Sequence, residues 1–100
     1  MSDTTANPSQ IALVTGATRG IGAAIAAELS ARGYRVIGTA TREGGAASIT
    51  QALAAHGGKG VVLNVTDGAA VDALTDAIVK EYGGLHVLVN NAGITRDTLA

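Results

Sequence analysis

Thr15-Gly16-Ala17-Thr18-Arg19-Gly20-Ile21-Gly22 is the stretch that decides the fold. Its glycines fall as G-x-x-x-G-x-G, directly after the apolar run Ile11-Ala12-Leu13-Val14 and directly before a stretch with helical spacing. Gly16 lets the chain turn sharply off a strand. Gly20 lets the backbone approach a bulky anion with no Cβ in the way, and Gly22 lets the following helix pack closely. The first N–H groups of that helix have no intrahelical acceptor and carry partial positive charge, so a phosphate suits them. A glycine pattern of this kind, between a strand and a helix of a βαβ unit, predicts a dinucleotide site.

Moving outward, the chain keeps alternating apolar runs with helical patterns. Residues 11–15 read as a strand apolar on both faces, as in a buried parallel sheet. Ile21, Ile25 and Leu29 form one helical stripe that ends at Gly33. Residues 35–39 read as a second strand, 46–55 as a second helix with a thin stripe of Ile49 and Leu53, and 60–65 as a third strand. Thr66 or Asp67 is placed to cap a third helix carrying Val71, Leu74, Ile78 and Tyr82, and Gly83-Gly84 stops it. Residues 86–90 make a fourth strand. The resulting βαβαβαβ order implies an α/β fold with a parallel sheet, and right-handed crossovers favour the doubly wound strand order 3-2-1-4. The first two helices then share one face of the sheet, and the third covers the other.

Composition narrows the function classes. Of the 100 residues, 47% are apolar and 15% charged, enough for a core and too few charges for disorder. With no Phe or Trp, two Tyr and a net charge of −1, the chain offers neither stacking platforms nor a basic surface for nucleic acid. Cys is absent, which removes disulfides, thiolate nucleophiles and thiolate metal sites. His56 and His86 stand apart, so no metal site is expected. No apolar run is long enough for a membrane span. Residues 1–10 are polar and read as a flexible tail. A soluble, cytoplasmic chain is expected.

The end of the second strand bears on which dinucleotide is held. An NAD site usually places Asp or Glu there for the ribose 2′-OH. Here the residues are Gly38-Thr39-Ala40-Thr41-Arg42, with no acid. A carboxylate repels a 2′-phosphate, whereas hydroxyl and guanidinium groups accept it. Arg19 and Thr41 are the candidates, with Arg42 in reserve, and NADP(H) is the expected cofactor.

A second motif, Asn90-Asn91-Ala92-Gly93, lies at the end of the fourth strand. With Thr15-Gly16 through Gly20-Ile21-Gly22, it makes the chain resemble the short-chain dehydrogenases/reductases, whose TGxxxGxG loop and NNAG motif sit at these two strand ends. The likeness runs from about residue 11 to the last residue. It is nearest to the branch that reduces 3-oxoacyl chains on acyl carrier protein, through Val36-Ile37-Gly38-Thr39-Ala40-Thr41, Leu63-Asn64-Val65-Thr66-Asp67 and Ile94-Thr95-Arg96-Asp97.

The resemblance implies a Rossmann-type sheet and a role for each matching residue. Gly16, Ala17, Thr18, Arg19, Gly20 and Ile21 would hold the pyrophosphate and adenosine ribose. Arg19 and Thr41 would meet the 2′-phosphate, and Asn64 and Val65 would flank the adenine. Asn91, Ala92 and Gly93 would lie along the nicotinamide-side ribose, and Asn90 would tie the fourth strand to its neighbours. It also implies an NADPH-dependent reductase of fatty acid biosynthesis, with acyl carrier protein as partner and a homotetramer as assembly. Another reductase of the family, such as one acting on acetoacetyl-CoA, and a nucleotide-binding fragment without turnover are the alternatives.

The family's chemistry needs a Tyr proton donor with a Lys four residues on. Tyr34 is followed at that spacing by Gly38, and Tyr82 by His86, so no catalytic residue is expected in this chain. A fourth strand apolar on both faces at a sheet edge invites further pairing. Residues 11–100 are therefore expected to be the N-terminal part of an NADP-binding domain that continues.

Overall fold

The computed structural model describes residues 10–18 and 20–91. The elements run β1 (Ile11–Val14), α1 (Gly20–Ala31), β2 (Arg35–Ala40), α2 (Glu43–Leu53), a 3₁₀ turn (Ala54–His56), β3 (Lys59–Val62), α3 (Gly68–Tyr82) and β4 (Val87–Val89). All strand pairings are parallel and the order is β3-β2-β1-β4, which makes this a Rossmann-type α/β fold. The expected tail lies outside the described residues except for Gln10. Its carbonyl accepts from the Arg35 N–H at 3.0 Å and so extends the β1–β2 ladder.

Strand periodicity divides the core in two. Ala12, Val14, Val36 and Ala40 face α1 and α2, where Ala26, Ala46, Ile49 and Leu53 meet them. Ile11, Leu13 and Ile37 face the opposite way, onto Ile78 of α3. The face with two helices is built largely from small side chains. The face covered by α3 carries larger ones. Gly38 and Gly60 are paired in register on β2 and β3 and form a trough beneath α2. A Cβ on either would come within 2.8 Å of the Ile49 side chain, so the missing side chains are what let α2 sit so low.

Several boundaries differ from the sequence reading. The α1 stripe is shifted by one residue: Gly22, Ala26 and Ser30 are its buried positions, and Ile25 and Leu29 pack beside them. Ile21, expected in the stripe, is 72% exposed. The tight approach of α1 to the loop requires small residues at the contact, and Ile21 falls off that line. α2 begins earlier than expected, at Glu43, because Gly44-Gly45 masks its first turn. β3 stops earlier, at Val62, where Asn64 turns the chain: its Oδ1 accepts from the Thr66 N–H at 3.0 Å and the Thr66 hydroxyl at 2.6 Å. Asp67 is the α3 cap, with its carboxylate accepting from the Ala70 N–H at 3.2 Å.

At the end of the sheet away from the glycine loop, Arg35 and Lys59 lie 5.1 Å and 5.8 Å from the centre of the Tyr82 ring. Lys59 also pairs with Glu81 at 3.6 Å. Tyr82 thus packs as the last apolar residue of α3, as expected, and carries two cations as well. His86 fixes the start of β4: its N–H donates to the Ile11 carbonyl at 2.9 Å, and its Nδ1 accepts from the Ile11 N–H at 3.0 Å.

Candidate functional site

The loop after β1 is held from three sides. From β2, the Thr39 hydroxyl accepts from the Gly16 N–H at 3.1 Å and the Thr39 carbonyl accepts from the Ala17 N–H at 2.9 Å. From the end of β4, Asn91 Nδ2 donates to the Gly16 carbonyl at 3.2 Å. From α1, Gly22 presses against the same carbonyl: a Cβ there would lie 2.1 Å from Gly16 O and 2.6 Å from Asn91 Nδ2. Gly16 itself has φ +66°, a left-handed turn that a side chain would strain. Thr15 continues the β1–β4 ladder through its N–H to Val89 O at 3.0 Å, and its hydroxyl donates to Asn90 Oδ1 at 3.4 Å. Asn90 therefore does link β4 to β1.

Above this loop, at the carboxyl ends of the strands, a cleft of about 330 Å³ opens. Gly16, Thr39 and Ala40 line its base, Leu63 and Val65 one side, and Asn91 the other end. A second hollow of about 350 Å³ is lined by Thr18, Ala40, Thr41, Arg42 and Gly45, and none of these is acidic. Glu43 is next in sequence but does not line it. Clefts at this place in an open α/β sheet are where ligands bind.

The structure brings together only some of the sequence candidates. Gly16, Thr18, Thr41, Val65 and Asn91 line the cleft. Gly20 and Ile21 stand exposed at the start of α1, and a Cβ on Gly20 would meet nothing within 4 Å. Ala17 is 5% exposed and lines a separate crevice of about 110 Å³ between α1 and α2. The amides of Gly16 and Ala17 are both taken by Thr39, so these two residues offer shape rather than N–H groups. Asn64 is exposed beside Val65, with its Oδ1 engaged by Thr66. Arg19, Ala92 and Gly93 lie outside the described residues. Thr39, Ala40 and Leu63 are lining residues that the sequence reading missed. A hydroxyl near the end of a strand whose other residues after Arg35 are apolar or glycine was the available signal for Thr39.

The family model for the short chain dehydrogenases matches residues 10–100. The chain belongs to the short-chain dehydrogenases. Among its short-chain dehydrogenase relatives, it is 59% identical over 90 residues to the 3-oxoacyl-(acyl-carrier-protein) reductase FabG of Escherichia coli, covering 90% of this chain and 36% of that protein. It is 58% identical over 90 residues to FabG of Haemophilus influenzae, covering 90% of this chain and 37% of the relative. Against FabG of Pseudomonas aeruginosa the figure is 51% over 92 residues, covering 90% and 37%. The chain thus spans a little over a third of the length of the curated relatives it matches. Among the described residues, no helix is long and apolar enough to cross a membrane, and no group of three or more His, Cys, Asp or Glu is placed to hold a metal ion.

Proposed function

We propose that this chain forms the cofactor-binding part of an NADPH-dependent reductase, and that the whole protein reduces 3-oxoacyl groups on acyl carrier protein. The observation that carries the cofactor choice is the hollow at the end of β2. Thr18, Thr41 and Arg42 line it, and among the described residues no carboxylate does, so a 2′-phosphate would meet hydroxyl and guanidinium donors. Arg19, two residues before Ile21, is a further donor on this reading. A charge-assisted hydrogen bond contributes about 1.5–3 kcal/mol, which corresponds to roughly ten- to a hundredfold in affinity.

The fit of a dinucleotide rests on the same geometry. The space above Gly20 is open, the first-turn amides of α1 lie beside it, and Val65 and Leu63 give an apolar wall for a purine. Asn91 holds the loop at the end that the nicotinamide ribose would occupy. When bound, NADPH supplies a hydride; the residues described here bind and orient it. No Tyr-x-x-x-Lys pair occurs in residues 1–100, so proton donation to the carbonyl falls to residues outside them. The acyl substrate follows the names of the relatives. A homotetrameric assembly and a cytoplasmic location belong to the same proposal.

The test compares kcat/KM for NADPH and NADH in the full-length protein, with 3-oxoacyl-acyl-carrier-protein as substrate, and repeats it with Arg19→Ala. The wild type is expected to favour NADPH and the variant to lose most of that preference. A wild type that favours NADH overturns the cofactor reading. An unchanged ratio in the variant overturns the role of Arg19.

A further inference from the structure

Thr39 occupies a position in β2 where a β-branched apolar residue would serve the strand as well. It is 1% exposed, and its neighbours Val36, Ile37 and Ala40 are all buried and apolar. A hydroxyl buried there is costly unless it is paired, and Val has the same shape without that cost. Its pairing is what distinguishes it. The hydroxyl accepts the Gly16 N–H and the carbonyl accepts the Ala17 N–H, so one residue receives two successive amides of the glycine loop. These amides come from the residue that leaves β1 at φ +66° and from the next one. With both directed at β2, neither is available to an anion, whereas the first-turn amides of α1 have no intrahelical acceptor.

We infer that Thr39 is a positioning residue for the cofactor: its hydroxyl fixes the base of the glycine loop so that the α1 amides face the pyrophosphate. It touches the loop rather than the reacting atoms. A left-handed glycine has several accessible conformations, and the side-chain bond from β2 selects one of them. The β2 carbonyl holds only Ala17, and Asn91 holds only the Gly16 carbonyl, so the Thr39 hydroxyl is the contact that takes the Gly16 N–H. The inference rests on the reading of the cleft as a dinucleotide site, and it adds a specific residue to that reading.

The experiment uses Thr39→Ser and Thr39→Ala in the full-length protein. Both lose the methyl group, and they differ only in the hydroxyl. NADPH affinity is read by fluorescence titration, and exchange of the Gly16 amide is followed by NMR without cofactor. Thr39→Ala is expected to bind NADPH about tenfold more weakly than Thr39→Ser, and to exchange the Gly16 amide about tenfold faster. Thr39→Ser is expected to recover most of the wild-type affinity. Equal affinities and equal exchange in the two variants overturn the inference and leave the cofactor reading standing. If the wild type itself binds no NADPH, the cofactor reading fails, and the role in positioning that cofactor fails with it. Thr39→Val, which keeps the bulk, replaces Ala in the comparison should the smaller side chain unfold the sheet.

Discussion

A methyl group added at Gly22 has nowhere to go, whereas one added at Gly20 meets only open space. The two substitutions should therefore fail in different ways. Gly22→Ala forces the Gly16 carbonyl and Asn91 apart, and overpacking of this kind costs about 1–3 kcal/mol. Urea unfolding should show that loss, together with weakened NADPH binding. Gly20→Val strains a backbone at φ +67° and fills the space over the loop, so the protein should stay folded by circular dichroism and bind no NADPH. Unchanged NADPH affinity in folded Gly20→Val would count against the loop as a phosphate site. At this scale the sequence was legible where spacing alone carries the meaning, as with the turn at Gly16 and the close packing at Gly22. It was not legible for Thr39, because a threonine in a strand looks like an ordinary β-former until its partner is known. Ile21 shows the converse error: an apolar residue at helical spacing, expected inside, stands exposed on the first turn of α1.

Among the elements, α2 depends most on what its neighbours lack. Ile49 fills the trough over Gly38 and Gly60 and is 3% exposed. Ile49→Ala should cost about 2–5 kcal/mol, since a trough shaped by paired glycines has little to collapse into the cavity. Asp67→Ala removes only the cap of α3 and should cost about 1 kcal/mol. Both are read from urea midpoints at constant m; a larger loss for Asp67→Ala than for Ile49→Ala would contradict this account of which element anchors the core. The weak apolar stripe of α2 in the sequence has the same origin. Where the sheet presents glycine, one large side chain does the packing that several do elsewhere. The early start of α2 was hidden similarly: Gly45 is a poor helix former, yet its missing Cβ is what admits Thr18 and Ala40 beside it.

At the scale of the molecule, strand order and the assignment of helices to faces could be read in advance, because right-handed crossovers leave few choices once βαβαβαβ is recognised. Hydrophobic pattern could not say how far each strand runs, since Asn64 ends β3 by a side-chain turn. The β4 edge is the feature with consequences for handling. Among the described residues β4 pairs only with β1, and Leu88 is 59% exposed on the α3 face. Residues 1–100 expressed alone should self-associate by light scattering and should oxidise no NADPH with acetoacetyl-CoA. Leu88→Lys should reduce the association; a monodisperse monomer without that change would contradict the role of this edge. The bond from Asn91 to Gly16 has a consequence in time as well. Its two ends lie 75 residues apart, and at about 5–20 residues per second a ribosome takes roughly 4–15 s to make that span. For that interval the glycine loop lacks the hold from Asn91 and keeps only those from β2 and α1. In the nascent chain β1 can pair with β2 before β4 emerges, but the loop gains its Asn91 hold only afterwards, and NADPH in the surrounding solution can offer it little help before then.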